Sequence, residues 1–381
     1  MRVVSTAVIA AALAGGPACS GDPTSGGADA GPGAAADAAA NGDGDLPDAG
    51  PSFVPEPLMI GIASGHPGFL HHPDLETFFE SSTGERHFRM GHMYVPWNVA
   101  LEPSDRRDEL EEWLAAAAEH QLEPLIVFGP ERTVPDGPFD SYRPTVDEFA
   151  AAFDAFRATW PAVDRFISWN EPNAPVTEVA PELAADYHMR IAERCGEECE
   201  VAAGNFRGMT SSDNDDLRMG PGGPDHPDCS AGGSYLDRYK CRLAAGGVHP
   251  AVWAFHPYLD GDRYRRLSFH CSDPQVCQTR VLMAQLSGSW SASEIWMTEA
   301  GALYASPSLA ASEHEQACTG AFYLRLFERP EWEGRVTRFY YFNWFGYTDD
   351  MGIVDKTEAH APRAVFHQLR DRVTMYDAAC P

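Results

Sequence analysis

The chain has 381 residues, with 28 Lys+Arg against 56 Asp+Glu and a formal net charge of −28. That balance disfavours nucleic acid, anionic lipid and strongly acidic polysaccharides as partners, because each is itself a polyanion. A hydrophobic fraction of 44% with 11% aromatics supplies a sizeable core and is too high for a disordered chain, while the length allows one large domain or two ordinary ones.

The first segment reads as an export signal. Met1-Arg2 is a short basic start, and Val3 to Ala14 is an uncharged apolar run followed by Gly15 and Gly16, the pattern of a secretory leader. The run is too short for a permanent membrane-spanning helix. Two cleavage junctions compete. Ala12-Leu13-Ala14 fits an ordinary small-x-small site. Ala18-Cys19-Ser20 resembles a bacterial lipoprotein junction, although Gly16 stands where an aliphatic residue is usual. The composition after the cysteine favours the lipoprotein reading, with a lipid anchor on Cys19. Residues 20–52 hold six aspartates, no lysine or arginine, and mostly Ala, Gly and Pro. Such a stretch cannot bury enough apolar surface to offset the entropy of ordering it. It reads as a disordered tether with a mean reach of about 30 Å. The expected organisation is a signal peptide over 1–19, a tether over 20–52 and a folded domain over 53–381. The expected location is outside the cytoplasm: an outer-membrane or cell-surface lipoprotein, or a periplasmic or extracellular protein.

Cysteine counting agrees with export. Without Cys19, eight cysteines remain, an even number suited to an oxidising compartment. Sequence proximity suggests 195–199, 229–241 and 271–277, which leaves 318–380, one of about 105 possible pairings. Structural zinc is the rival reading, but the chain has no C-x-x-C pair.

From residue 56 onward, short apolar runs alternate with helical patterns. The strand candidates are Leu58–Ala63, His87–Met93, Leu122–Phe128, Arg165–Trp169, Glu200–Ala203, Val252–His256, Glu294–Thr298 and Arg338–Phe342. Between them lie helical stretches at Arg107–His120, Val146–Trp160, Pro181–Cys195, Ser234–Ala245, Val276–Leu286, Ser312–Glu328 and Pro362–Val373. Apolar spacing such as Leu110, Leu114, Ala117 and Ala118 is helical. Thr145 and Ser312 are N-cap candidates, the latter with Glu315 completing a capping box. Near-continuous apolar strands suit a parallel sheet covered on both faces, and eight of them with intervening helices predict an α/β fold, the (β/α)₈ barrel. The domain exceeds the roughly 250 residues of a plain barrel, with the excess expected mainly in the loop after strand five, about 205–233. A doubly wound open sheet is the alternative, but no G-x-G-x-x-G follows the first strand.

In such a barrel the chemistry lies at the C-terminal ends of the strands. That rule shortlists Ser64, Gly65 and His66 after strand one, then Arg89, His92 and Trp97 on and after strand two. Strand four contributes Trp169 to Asn173, strand six His256 and Tyr258, strand seven Thr298 and Glu299, and strand eight Asn343 and Trp344. Glu171 follows Phe166-Ile167-Ser168-Trp169, and Glu299 follows Ile295-Trp296-Met297-Thr298. Both therefore end buried strands and face each other across one rim. A pair of carboxylates is what glycosidic cleavage needs, one to protonate the leaving oxygen and one to attack or stabilise the anomeric carbon. The alternative is that each glutamate caps a helix or pairs with an arginine.

Trp169-Asn170-Glu171-Pro172-Asn173 and Trp296-Met297-Thr298-Glu299-Ala300-Gly301 resemble the signatures of clan A glycoside hydrolases. Phe255-His256-Pro257-Tyr258 resembles the His-x-Tyr element of strand six in that clan, and Phe342-Asn343-Trp344 the aromatic end of strand eight. The likeness spans roughly 56–373. It is greatest for the branch of β-xylosidases and bacterial exopolysaccharide hydrolases, with some likeness to the cellulase–mannanase branch. Strand three, Leu125-Ile126-Val127-Phe128, lacks the histidine usual in the latter. The resemblance implies roles. Glu171 would be the acid/base and Glu299 the nucleophile of a double displacement that retains configuration, with the carboxyl groups about 5–5.5 Å apart. Asn170 would bind the sugar 2-hydroxyl, Tyr258 would tune Glu299, Arg89 would hold Glu299 ionised, His256 would line the site, and Trp344 would form a stacking floor. Trp97 and His66 join them as substrate-binding candidates. Acid and nucleophile need opposite protonation states, so a raised pKa is expected for Glu171 and a lowered one for Glu299. The implied substrate is a neutral or weakly charged poly- or oligosaccharide with β linkages, cleaved by a monomer without a cofactor.

Other barrel chemistries fit less well. A Schiff-base enzyme needs a strand-end lysine, yet the two lysines, Lys240 and Lys356, fall in a predicted helix and a late loop. His66, His71 and His72 cluster after strand one, but no His-x-His is present. Asp213-Asn214-Asp215-Asp216 lacks the spacing of an EF-hand loop. Tyr304 and Tyr347, like Trp97, follow strands and are candidates for flanking sugar subsites. Two further readings keep the same residues: a non-catalytic carbohydrate-binding lipoprotein, and a transglycosylase.

Overall fold

The apolar runs become eight short strands because each is buried on both faces. They are β1 (Met59–Ala63), β2 (Met90–Pro96), β3 (Glu123–Gly129), β4 (Arg165–Ile167), β5 (Glu200–Arg207), β6 (Val252–His256), β7 (Glu294–Ala300) and β8 (Val336–Phe342). Each pairs in parallel with its neighbour in chain order, and β8 returns to β1, which closes the barrel. This is the expected (β/α)₈ fold. The computed structural model describes residues 58–380 apart from 66, 81, 83–88, 133–137, 209–224, 226, 269, 272–275, 292–293, 333, 347–348, 356–359 and 375–379. The expected leader, tether and Cys19 anchor lie outside the described residues, as do His66, Asp213–Asp216, Tyr347 and Lys356. Among the described residues, no helix is long and apolar enough to cross a membrane.

The helices are α1 (Leu75–Phe78), α2 (Asp105–Glu119), α3 (Val146–Thr159), α4 (Pro181–Cys195), α5 (Tyr235–Ala245), α6 (Tyr258–Leu267), α7 (Gln278–Gln285), α8 (Glu313–Phe327) and α9 (Ala364–Arg370). Caps start several of them where the sequence predicts. Thr145 and Glu148 form a capping box, whereas the box expected at Ser312 is half made: Ser312 accepts from the Glu315 amide at 3.2 Å, and the Glu315 carboxylate takes Arg265 instead. Two helices lie outside the sequence expectation: the single turn α1, and α6, which starts directly after β6 with Pro257 at its N-cap.

Alternation along the strands sorts side chains into two cores. Met90, Leu125, Val127, Ile167, Ala202, Val252, Ala254, Trp296 and Tyr340 fill the barrel. Their neighbours, such as Ile126, Phe128, Phe166, Trp253, Phe255, Met297, Phe339 and Tyr341, meet the surrounding helices. Arg338 closes the N-terminal end, 2.9 Å from Glu123 and with its guanidinium 4.6 Å from the Trp296 ring. The four disulfides join 195–199, 229–241, 271–277 and 318–380, as sequence proximity suggests.

The loops after β7 and β8 are locked together at the opposite rim. Asp350 exchanges backbone hydrogen bonds with Tyr304 and Ala305, and its carboxylate takes both guanidinium arms of Arg363 at 2.8 and 2.9 Å. Arg363 also stacks 3.9 Å from the Tyr304 ring centroid. Both charged side chains are about 95% buried or more. Removing one would strand the other in a low-dielectric setting, at a cost of about 3–5 kcal/mol. Asp350→Ala should therefore lower unfolding stability by about that amount in a urea titration; a loss under about 1 kcal/mol would contradict the buried lock.

Candidate active site

Two irregularities in the barrel aim the key side chains. Between Met297 and Ala300, β7 carries one residue more than β8 does between Phe339 and Tyr341. A bulge of this kind re-aims a side chain at a barrel rim, and Glu299 sits in it. The second lies in β5, where Gly204 pairs with Ala254 and Phe206 with Phe255, which leaves Asn205 as the extra residue. Gly204 and Asn205 both have positive φ, 90° and 61°, a conformation that glycine and asparagine tolerate best. Glu171, just past β4, has φ of 44°. A glutamate held there costs of order 1–3 kcal/mol, and such outliers cluster at working sites.

These placements bring Glu171, His256 and Glu299 together. One oxygen of each carboxylate and one imidazole nitrogen all lie within 4.8 Å of one another. His256 Nδ1 is 3.0 Å from Glu171 Oε1 and 3.7 Å from Glu299 Oε2. Tyr258 donates its hydroxyl to Glu299 Oε2 at 2.6 Å. Arg207, at the end of β5, reaches Glu171 Oε2 at 3.8 Å, and His92 Nδ1 lies 4.0 Å from Glu299 Oε1. Behind them runs a buried polar chain. Thr298 donates to Asn205 Oδ1 at 2.6 Å, and Asn205 Nδ2 donates to Asn170 Oδ1 at 2.9 Å. That chain engages the oxygen end of Asn170.

Both carboxylates are mostly but not wholly buried, 13% and 12% exposed, so each keeps some access to solvent. Burial, reinforced by the charge of Glu171, holds the Glu299 carboxyl above the usual carboxylate range, against the opposing pull of the His256 charge and the Tyr258 hydroxyl. This corrects the expectation of a lowered value: Arg89, the cation expected to depress it, is elsewhere. Burial alone would lower His256, but the charges of Glu299 and Glu171 and the Glu171 hydrogen bond prevail over it and over Arg207, so its pKa is raised. His92 is pushed down to about 3 by burial and by the charge of His256, and is neutral at ordinary pH.

Two other expectations fail. Arg89 precedes β2, which begins three residues later than anticipated, so it lies at the far end of the barrel. There it binds Glu76 at 2.7 Å and the His120 carbonyl at 2.9 Å. His92 and Arg207 occupy the flanks of the carboxylates instead. Trp344 is 0% exposed and packs against Phe69, His72, Phe78 and Phe366, so it offers no open face. Phe342, two residues earlier, joins the barrel interior, is half-buried, and meets the Tyr258 ring edge-on at 5.9 Å. Trp97 is half-buried at the same rim, beside Tyr142.

Among the described residues, three groups of side chains could present three metal ligands each. In two, Cys318–Cys380 and Cys271–Cys277 are disulfides, so their thiolates are spent. The third is Glu171, His256 and Glu299, which the His256–Glu171 hydrogen bond and the 3.7 Å contact of His256 with Glu299 already join. A hollow of about 460 Å³ lined by Asp164, Arg165, His188 and Glu200 lies at the starts of the strands, the end that carries no chemistry in barrels of this kind.

No family model matches the chain, and no curated protein matches it in sequence. Among solved structures, a glucosidase from Croceicoccus marinus aligns with TM-score 0.52 and 11% identity over 84% of this chain and 67% of that chain. The catalytic domain of a Bacillus sp. JAMB-750 GH26 endo-β-1,4-mannanase aligns with TM-score 0.53 and 11% identity over 83% of this chain and 85% of that chain. These likenesses show the fold, the barrel that the resemblance to clan A implies. The neighbours belong to the enzyme class that the carboxylate pair anticipates.

The electrostatics are open to direct measurement. In a ¹³C NMR titration the Glu299 carboxyl should titrate above 4.5, the ordinary value. Tyr258→Phe removes a hydrogen bond to the ionised form and should move that midpoint further up. A midpoint below 4.5 in the unaltered protein would overturn the assignment of burial as the dominant effect.

Proposed function

We propose that the protein is a retaining glycoside hydrolase that cleaves β-glycosidic bonds of a neutral or weakly charged poly- or oligosaccharide by double displacement. The observation that carries the reading is the meeting of Glu171 and Glu299, from the ends of β4 and β7, with carboxylate oxygens within 4.8 Å. Retaining enzymes hold their two carboxyl groups about 5–5.5 Å apart, whereas inverting ones leave roughly 6.5–9.5 Å for a water. The closeness of the two carboxylates supports the retaining reading.

Glu171 donates a proton to the leaving oxygen, and Glu299 attacks the anomeric carbon to form a covalent glycosyl-enzyme. Water, deprotonated by Glu171, then releases the sugar with its configuration restored. His256, hydrogen-bonded to Glu171 and drawn towards protonation by its two acidic neighbours, holds both carboxylates in one place. As Glu171 gives up its proton and becomes an anion, the His256 ring nitrogen beside it and the Arg207 guanidinium stabilise the new charge. Asn170 Nδ2 offers a hydrogen bond to the sugar, and Phe342 offers it an aromatic edge. Four paired disulfides agree with an oxidising compartment, which supports export and, with the sequence around Cys19, a lipid-tethered enzyme acting outside the cytoplasm as a monomer.

Glu299→Gln and Glu171→Gln, each tested on a panel of neutral β-glycans and aryl β-glycosides, are the decisive variants. Loss of the nucleophile should reduce turnover about 10⁴-fold or more with circular dichroism unchanged. Loss of the acid should cost about 10²–10⁴-fold, least for aryl leaving groups that need little protonation. The first-formed anomer, read by ¹H NMR, should match the substrate, and activity should survive a chelator. Inverted product would exclude the double displacement. Loss of activity to the chelator with recovery on adding a divalent ion would instead make Glu171, His256 and Glu299 a metal centre.

A further inference from the structure

Asn205 occupies an unusual place for a polar side chain. It is 0% exposed, and the bulge in β5 leaves it without a partner residue on β6. Its φ of 61° is one that glycine adopts freely, so the backbone alone does not call for a side chain here. The chain on either side of it is held firmly. The Gly204 amide donates to the Tyr239 hydroxyl of α5 at 3.2 Å, and the Arg207 amide and carbonyl both bind the Asn173 side chain.

The Asn205 side chain joins two strand ends. Its Oδ1 accepts from the Thr298 hydroxyl at 2.6 Å, and its Nδ2 donates to Asn170 Oδ1 at 2.9 Å. The two lengths agree with that orientation, since O–H···O bonds run shorter than N–H···O bonds. Thr298 immediately precedes Glu299, and Asn170 immediately precedes Glu171. The Asn170 backbone is already fixed, its amide donating to the Phe128 carbonyl at 2.7 Å. The remaining freedom is rotation of the side-chain amide, whose oxygen and nitrogen ends are nearly the same shape. A donor on Asn205 settles that rotation: the oxygen of Asn170 turns towards it and the nitrogen turns away. Asn170 is half-buried rather than sealed in, so the end turned away is open to a ligand.

We propose that Asn205 is a positioning residue that makes Asn170 present a hydrogen-bond donor to the sugar. It thereby selects sugars with a hydroxyl next to the reacting carbon over those with a cationic amine there. This rests on the proposed catalytic pair and on the proposed contact of Asn170 with the sugar. Asn205, fully buried, acts only through Asn170. A hydroxyl at that carbon accepts from an amide nitrogen, and hydrogen bonds to it strengthen in the transition state of glycoside cleavage. An ammonium group can only donate, so it meets a second donor with no acceptor between them.

The test uses aryl β-glycosides of glucose, xylose, mannose and galactose on the full chain. Each is taken in three forms: the 2-hydroxy parent, the 2-deoxy analogue and the protonated 2-amino-2-deoxy analogue. Asn205→Gly suits the backbone and removes the side chain. It should lower kcat/KM for the parent roughly tenfold more than for the 2-deoxy analogue, the worth of about one hydrogen bond. Asn205→Asp keeps the shape but can only accept, so Asn170 must turn its nitrogen inwards and show the sugar its oxygen. That variant should raise the 2-amino analogue roughly tenfold relative to the parent. Equal losses on all three forms, as a merely structural role would give, or no loss at all, would overturn the proposal. Aryl thioglycosides of the same three forms, which resist hydrolysis, read the selection by calorimetry without turnover. Selection among them that depends on Asn205, in a protein that hydrolyses none of the glycosides, would sink the catalytic reading and leave the positioning role standing. Hydrolysis with selection indifferent to Asn205 would sink the positioning role alone.

Discussion

Two carboxyl groups held within 4.8 Å inside a mostly buried opening repel strongly when both are ionised. At an effective dielectric of about 20, two unit charges at that separation cost roughly 3–4 kcal/mol. Much of the surrounding structure answers that repulsion. His256, wholly buried between the two, gains a proton more readily because of them. Tyr258 donates to one and Arg207 approaches the other. Burial and the charge of Glu171 raise Glu299 in turn. A proton shared unequally between paired carboxylates is the starting condition for acid and nucleophile to divide their labour. The raised partner here is Glu299, the proposed nucleophile, which the double displacement uses as the anion.

Holding such a pair needs a rigid frame. The closed barrel supplies the frame, and two bulges and one left-handed glutamate supply the aim. Each departure from regular geometry costs free energy, and each is offset by bonds made beyond the rim. The Glu171 carbonyl accepts from Thr177, and Asn173 exchanges hydrogen bonds with the Arg207 backbone. Asn205, lifted out of the ladder, links Thr298 beside Glu299 to Asn170 beside Glu171. The polar network therefore runs underneath the two carboxylates and ties β4, β5 and β7 together.

Much of the scaffold is legible along the chain. The strands announce themselves as apolar runs, β6 with both ends as expected, and the helices by caps and 3.6-residue spacing. Local cysteine spacing anticipates all four disulfides. Glu171 and Glu299 stand out because a charged residue closing an apolar strand has few places to go except the rim. Arg89 is misplaced from sequence because the pattern lets β2 begin three residues early, and such a slip moves a residue from one end of a strand towards the other. Trp344 misleads because the chain turns out of the barrel after Phe342 and carries that indole under the helices. Arg207 and Asn205 escape notice because β5 runs four residues past its apolar segment, although the adjacent Gly204-Asn205 is a visible sign of unusual backbone.

Periodicity, polarity and cysteine spacing are properties of neighbouring residues, and they were enough to define the fold class, the covalent links and the two acids. The protonation of those acids, and the identity of the groups that face them, depended on residues brought in from β2, β5, β6 and β8. Charge–charge energies depend on distance and burial. Only closure of the barrel, with the particular stagger of its strands and bulges, sets either one.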